Sequence, residues 1–182
     1  SGAGEDVEIW NIVFNQFFFN GSREELISGD SGKELKPLDT PGVDTGMGFE
    51  RLMTIIGGHD TLYETDLFSG LMEKIDEYAP DLDIKIKRIF ADHIRAATFL
   101  IADGLTPSNK DAGYILRRLL RRVIVYEVKH DIHANLFPEL VPVVAEKFGD
   151  IYEGLHDTGK ILDAIEEEKK KFRTALAKGL KE

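Results

Sequence analysis

Between residues 88 and 123 apolar side chains return every three or four positions, at Phe90, Ile94, Ala97 and Ile101 and again at Leu116, Leu119, Leu120 and Val123. At 3.6 residues per turn an α-helix gathers such positions on one side, so this part of the chain is expected to pack as amphipathic helices. The second repeat lies in "SNKDAGYILRRLLRR", residues 108–122, which also carries four arginines in two pairs. With Arg117 at 0°, Arg121 falls near 40°, Arg118 near 100° and Arg122 near 140°, opposite the leucines. Such a helix can bury one face and present a cationic ridge on the other. The planar guanidinium donates two parallel hydrogen bonds to phosphate or carboxylate alike. The pattern alone leaves two readings open: an anion-binding face, or arginines paired with the chain's own carboxylates.

The charge distribution sharpens that choice. The formal net charge of the 182 residues is -10, yet residues 84–130 hold ten Lys and Arg against four Asp and Glu, a net of +6. A polyanion is repelled by most of this surface and attracted by one part of it. A chain that is 42% hydrophobic and 31% charged has a globular composition, with length for one ordinary domain or two small ones. No apolar run approaches membrane-spanning length. Ser1–Gly4 reads as a cloning remnant, not as a leader. The absence of cysteine excludes disulfides and thiolate metal sites and is compatible with a reducing compartment.

Before residue 62 the pattern changes. "EIWNIVFNQFFF", residues 8–19, is aromatic and β-branched and predicts a buried strand. The turn-rich "NGSREELISGDSG" and the extended "KELKPL" complete an expected antiparallel hairpin with a long loop. Pro41 and the glycines that follow predict a turn, and Phe49 to Ile56 a helix stopped by Gly57-Gly58. Helical patterns occupy the remainder, including a stripe through Ile161, Ile165, Phe172, Leu176 and Leu180. "EEEKKKF" within it reads as a solvated face, with favourable Glu166–Lys170 and Glu167–Lys171 pairs. The fold expected is α+β: a short antiparallel β portion over residues 5–61, then a mainly helical domain over 62–182.

Candidate site residues fall in two places. Ser108, Asn109 and Asp111 precede the arginine helix, and any one of them suffices as its N-cap. In "VDTGMGFERL", residues 43–52, Gly46-x-Gly48 allows close backbone approach to a phosphate, with Glu50 and Arg51 in the following helical turn. Asp44 suits either a turn or a substrate cation. The glycine spacing matches neither a dinucleotide fingerprint nor a P-loop. His130-x-x-His133 lacks partners at ligand spacing, so no metal site is expected.

Three stretches together, "EIWNIVFNQF" (8–17), "VDTGMGFERL" (43–52) and "ADHIRAATFLIADGLTPSNKDAGYILRRLLRR" (91–122), closely resemble the alanyl-tRNA synthetase family. The similarity continues more loosely through residues 166–180. It implies a class II synthetase, which activates alanine with ATP and Mg2+ and esterifies it to tRNA(Ala), in the cytoplasm. "GMGFER" then matches the third class II motif, with Arg51 facing the ATP phosphates. Asp44 matches the aspartate that holds the α-ammonium group, Asn11 lies on the strand lining the site, and Gly46 and Gly48 keep its floor open. Asn109 matches the asparagine that reads a G·U wobble pair in the acceptor stem. Arg117, Arg118, Arg121 and Arg122 would track phosphates, positioning the stem without specifying it.

Nothing in the sequence corresponds to class II motifs 1 and 2, to the editing domain with its metal ligands, or to the aspartate that partners the reading asparagine. The resemblance therefore implies a piece of a longer enzyme, unable to form alanyl-adenylate alone and open to self-association through an incomplete sheet. Without the resemblance, a non-catalytic helical module that binds nucleic-acid duplexes fits the same arginine pattern.

Overall fold

The computed structural model describes residues 7–29, 32–132 and 135–179, the last four through their backbone alone. Ser1–Gly4, His133 and Leu180 lie outside the described residues, as does the side chain of Leu176. The chain divides into two compact units, one ending at His59 and the other starting at Asp60.

In the first unit, strand β1 (Trp10–Phe18) pairs antiparallel with β2 (Lys36–Met47), and helix α1 (Arg23–Ser28) lies in the connection. Helix α2 (Phe49–Ile56) follows β2, with the bounds the sequence predicts. The expected turn at Pro41 does not form. Pro41 instead lies inside β2, where the ladder jumps from Asn15↔Gly42 to Phe17↔Pro37. The extra residues of β2 make a bulge there, which suits a residue with no N–H to give to a ladder. Helix α1 is a second departure from the expected loop. Its Ser22 side chain accepts from Glu25 N while the Glu25 carboxylate accepts from Ser22 N, and Gly29 closes it at φ 69°. That Ser-x-x-Glu box, with glycine at the far end, was present in the sequence as a helix signal.

The expectation that β1 is buried is also corrected. All nine of its residues are exposed, Trp10 at 55% and Phe14 at 65%. Aromatic and β-branched composition specifies a strand that suits burial, but two strands have no second layer to bury it against.

The second unit is helical: α3 (Ser69–Tyr78), α4 (Ile84–Ala102), α5 (Asp111–Lys129), α6 (Leu136–Phe148) and α7 (Thr158–Gly179), with single 3-10 turns at Leu62–Glu64 and Glu153–His156. Helix α4 lies against α3, α5, α6 and α7, which makes it the central element. Its predicted stripe of Phe90, Ile94, Ala97 and Ile101 is buried, and so are Leu116, Leu120 and Val123 of α5. Burial of each large side chain contributes about 1.5–3 kcal/mol. Helix α4 ends in a Schellman arrangement: Gly104 N donates to Ile101 O, Leu105 N to Leu100 O, and Gly104 takes φ 89°.

The charged run on α7 is not a uniformly solvated face. Glu168 and Lys169 are 2% and 3% exposed. Lys169 meets the buried Glu127 of α5 at 3.2 Å and donates to Asn135 Oδ1 at 2.7 Å. Glu127 also accepts from Leu136 N, so the ion pair is satisfied on both sides. The neighbouring Glu167–Lys171 pair is solvent-facing, as its i,i+4 spacing predicts.

Candidate functional site

The loop before α5 is built around a close backbone approach. A Cβ on Gly113 would lie 2.3 Å from Ser108 Oγ and 2.7 Å from the Thr106 carbonyl oxygen, so only glycine lets residues 106–108 rest on the first turn of α5. Ser108 N donates to Gly113 O, and the Ser108 hydroxyl both donates to Lys110 O and accepts from Lys110 N. The N-cap position is Lys110, with no side-chain cap. None of the three expected capping candidates performs that task, and Asn109 is released for another.

Its partner is Arg117, two turns into α5, which donates through Nη1 to Asn109 Oδ1. Nη2 of the same guanidinium donates to the Pro107 carbonyl at 3.2 Å. The Glu168 carboxylate of α7 lies 3.3 Å from Arg117 Nε and 2.8 Å from Arg121 Nε. Arg121 also lies over the Phe172 ring, 4.7 Å from its centroid. The four arginines therefore divide into two pairs. Arg117 and Arg121, at the edge of the arc next to the core, are held by α7, while Arg118 and Arg122 are exposed. Pairing with the chain's own carboxylates is thus realised by Arg117 and Arg121, while Arg118 and Arg122 face solvent.

Glu168 and Gly113 were not singled out from the sequence. Glu168 could have been: measured from Ile161 and Ile165 it falls on the same side of the helix as Phe172, so a carboxylate there faces the neighbouring element. No comparable signal marked Gly113, whose requirement comes from a loop that folds back on the helix.

The first unit brings the other candidates to a single strand face. Asn11 is paired with Gly46 and Val13 with Asp44, so Asn11, Asp44 and Gly46 share one side of the hairpin with Asn15 and Gly42. Trp10, Ile12 and Phe14 occupy the other side with Val43, Thr45 and Met47. A Cβ on Gly46 would stand 3.2 Å from Asn11 Oδ1, and one on Gly48 3.2 Å from Arg51 Cδ. Both glycines thus leave room for a candidate site side chain. Gly48 is the N-cap of α2 with φ -76°, so the expected tight glycine turn is a strand-to-helix junction. Arg51 donates through Nη1 to the Glu8 carbonyl oxygen, and Glu8 Oε1 accepts from Asn11 Nδ2 at 3.4 Å. Glu8, unnoticed in the sequence, thereby links Asn11 to Arg51. The Asp44 carboxylate accepts from Thr45 N at 2.9 Å and has no other hydrogen-bond donor among the described residues.

On α4, Asp92 accepts from His93 Nδ1 at 2.9 Å. This hydrogen bond holds the Asp92 carboxyl below its ordinary range, helped by the charges of His93 and Arg95 and opposed by partial burial. His130 ends α5 with its ring stacked on Tyr126. Among the described residues no three His, Asp or Glu side chains converge as a metal-ligand set, and no helix is long and apolar enough to cross a membrane.

Comparison with known proteins places this geometry in a family. The profile of tRNA synthetases class II (A) matches residues 4–182. An alanine–tRNA ligase of Shewanella amazonensis (strain ATCC BAA-1098 / SB2B) is 40% identical over 177 residues, covering 96% of this chain and 19% of the relative. The chain thus spans about a fifth of that relative's length. The profile match over nearly the whole chain, together with this relative, makes the chain a member of the alanyl class of class II tRNA synthetases.

Proposed function

We propose that this chain belongs to an alanine–tRNA ligase, an enzyme that activates alanine with ATP and esterifies it to tRNA(Ala). Residues 5–61 are the C-terminal part of its aminoacylation domain, and residues 62–182 its acceptor-stem recognition domain. The observation that carries this reading is the Arg117–Asn109 hydrogen bond. Asn109 caps no helix and is instead held at the end of a supported side-chain chain.

In a G·U wobble pair the guanine 2-amino group is left without a partner in the minor groove, which is wide and accessible in A-form RNA. An amide oxygen has two lone pairs. Arg117 uses one on Asn109, and the other accepts from the guanine amino group. Arg118 and Arg122 contact backbone phosphates directly, whereas Arg117 and Arg121 serve the interface by holding the loop and α7 in place.

In the first unit, Asp44 receives the α-ammonium group of alanine and Arg51 faces the ATP phosphates. Arg51 stabilises negative charge there as the alanine carboxylate attacks the α-phosphorus and pyrophosphate departs. The missing Cβ atoms at Gly46 and Gly48 suit a site whose floor the substrates approach closely. Mg2+ supplies charge neutralisation when bound and takes most of its ligands from phosphates and water. The two long outer edges of the hairpin also favour self-association.

The test is binding of this chain to an acceptor-stem hairpin bearing G·U and to the same hairpin with G–C. A preference for G·U over G–C and over the matched DNA hairpin supports recognition. Equal affinity for RNA and DNA duplexes, with no effect of the wobble pair, would identify a general duplex-binding module instead.

A further inference from the structure

Beside the exposed arginine pair, helices α4 and α5 and the turn before α3 enclose an open cleft of about 310 Å3. Its lining includes Tyr63, Lys85, Arg88, Asp92, His93 and Arg122. Three features mark it as built for an anion. Lys85, Arg88 and Arg122 have no carboxylate partner among the described residues, in a chain of net charge -10 with carboxylates to spare. The carboxylate that lines the cleft, Asp92, is engaged by His93. Arg88 is also presented on a support: its guanidinium lies 5.1 Å from the Tyr63 ring centroid, and Nη2 reaches the Thr61 hydroxyl at 3.5 Å. Its Nε is buried and has no acceptor among the described residues. A buried donor left without an acceptor is destabilising, and an oxyanion bound in the cleft offers one once the guanidinium turns its Nε edge outward.

We propose that this cleft is a second phosphate subsite, in which Arg88 and Lys85 of α4, together with Arg122 of α5, hold a backbone phosphate of the RNA beyond those held by Arg118. The inference rests on the reading of this unit as an RNA-binding domain and adds a position to it. Lys85, Arg88 and Asp92 lie one and two turns apart on α4, so Lys85 and Arg88 meet a ligand from the same side. Arg122 belongs to both surfaces. The cleft therefore adjoins the exposed edge of α5 through Arg122. A phosphodiester suits it better than a planar base, because the Tyr63 ring already packs against Arg88 and Phe68.

The test measures affinity of the chain for the G·U hairpin across a salt series, with Lys85→Gln, Arg88→Gln, the double variant and Arg118→Gln. Lys85 is exposed, so its variant folds even if that of Arg88 is weakened; thermal unfolding monitored by circular dichroism checks both. Each RNA phosphate that a variant no longer neutralises reduces the slope of log K against log salt by roughly 0.7–0.9. The expected result is a reduced slope and a several-fold weaker complex for Lys85→Gln and Arg88→Gln, equal for G·U and G–C hairpins. An unchanged slope in the folded double variant, with Arg118→Gln still weakening the complex, overturns the cleft and leaves the RNA-binding reading standing. No hairpin binding by the unsubstituted chain overturns both. Inorganic phosphate at matched ionic strength is the second arm. If it shifts the Arg88 Nε–H resonance as far as the hairpin does, the cleft is a free-anion site and the assignment to RNA falls.

Discussion

Arg117 holds Asn109 by a hydrogen bond from its Nη1 to the amide oxygen, across a loop that folds back onto the helix carrying the arginine. The bond fixes the orientation of the amide and engages one of the two lone pairs of its oxygen. With the second bond from Nη2 to the Pro107 carbonyl, the guanidinium ties the loop to the helix at two points.

Asn109→Ala is expected to lower the preference for a G·U hairpin over its G–C counterpart by about 1 kcal/mol, roughly fivefold. Because the substitution removes no positive charge, the salt dependence of binding stays as it was. Titrations of both hairpins at two salt concentrations measure the two effects separately.

Gly113→Ala places a methyl group against the Thr106 carbonyl oxygen and the Ser108 hydroxyl. Relief requires the loop to lift from α5, at a cost of about 1–3 kcal/mol. The variant should therefore lose both stability in urea and discrimination at the wobble pair. A variant that unfolds earlier but still discriminates would separate loop seating from recognition.

Glu168→Ala strips a buried carboxylate from between Arg117 and Arg121. Breaking a fully buried pair costs about 3–5 kcal/mol, and the expected loss lies toward the low end because Arg121 keeps 37% of its side-chain exposure. Chemical denaturation gives the loss. Glu168→Gln should recover part of it, because the amide oxygen still accepts from one arginine.

The pH dependence of stability carries a contribution from Asp92, whose carboxyl is held low chiefly by its hydrogen bond with His93. A depressed folded value means that the contribution is present above the ordinary carboxylate range and is lost as pH falls through the folded value. Asp92→Asn should accordingly be less stable than the unsubstituted chain at neutral pH. The difference should narrow as acid titrates Asp92 in the unsubstituted chain. Thermal unfolding of the two proteins from pH 7 down to pH 3 tests this.

The sequence alone determined what depends on neighbours along the chain. Periodicity placed α4 and α5 and selected Phe90, Ile94, Leu116 and Leu120 as core, because a helix brings residues three and four apart onto one face whatever surrounds it. Glycine fixed the ends of α2 and α4, since positive φ at Gly58 and Gly104 is a local requirement. The strand assignment of residues 10–18 was legible for the same reason. Its exposure was not, because burial depends on which layer lies opposite. Local reading also erred at Pro41, where a residue that usually turns a chain sits in a bulge created by strand register. Tertiary structure alone decided the division of the arginine arc. Helical angle alone does not say which of four like charges is paired, and the Glu168 carboxylate arriving from α7, forty-seven residues from Arg121 along the chain, separates two paired arginines from two exposed ones.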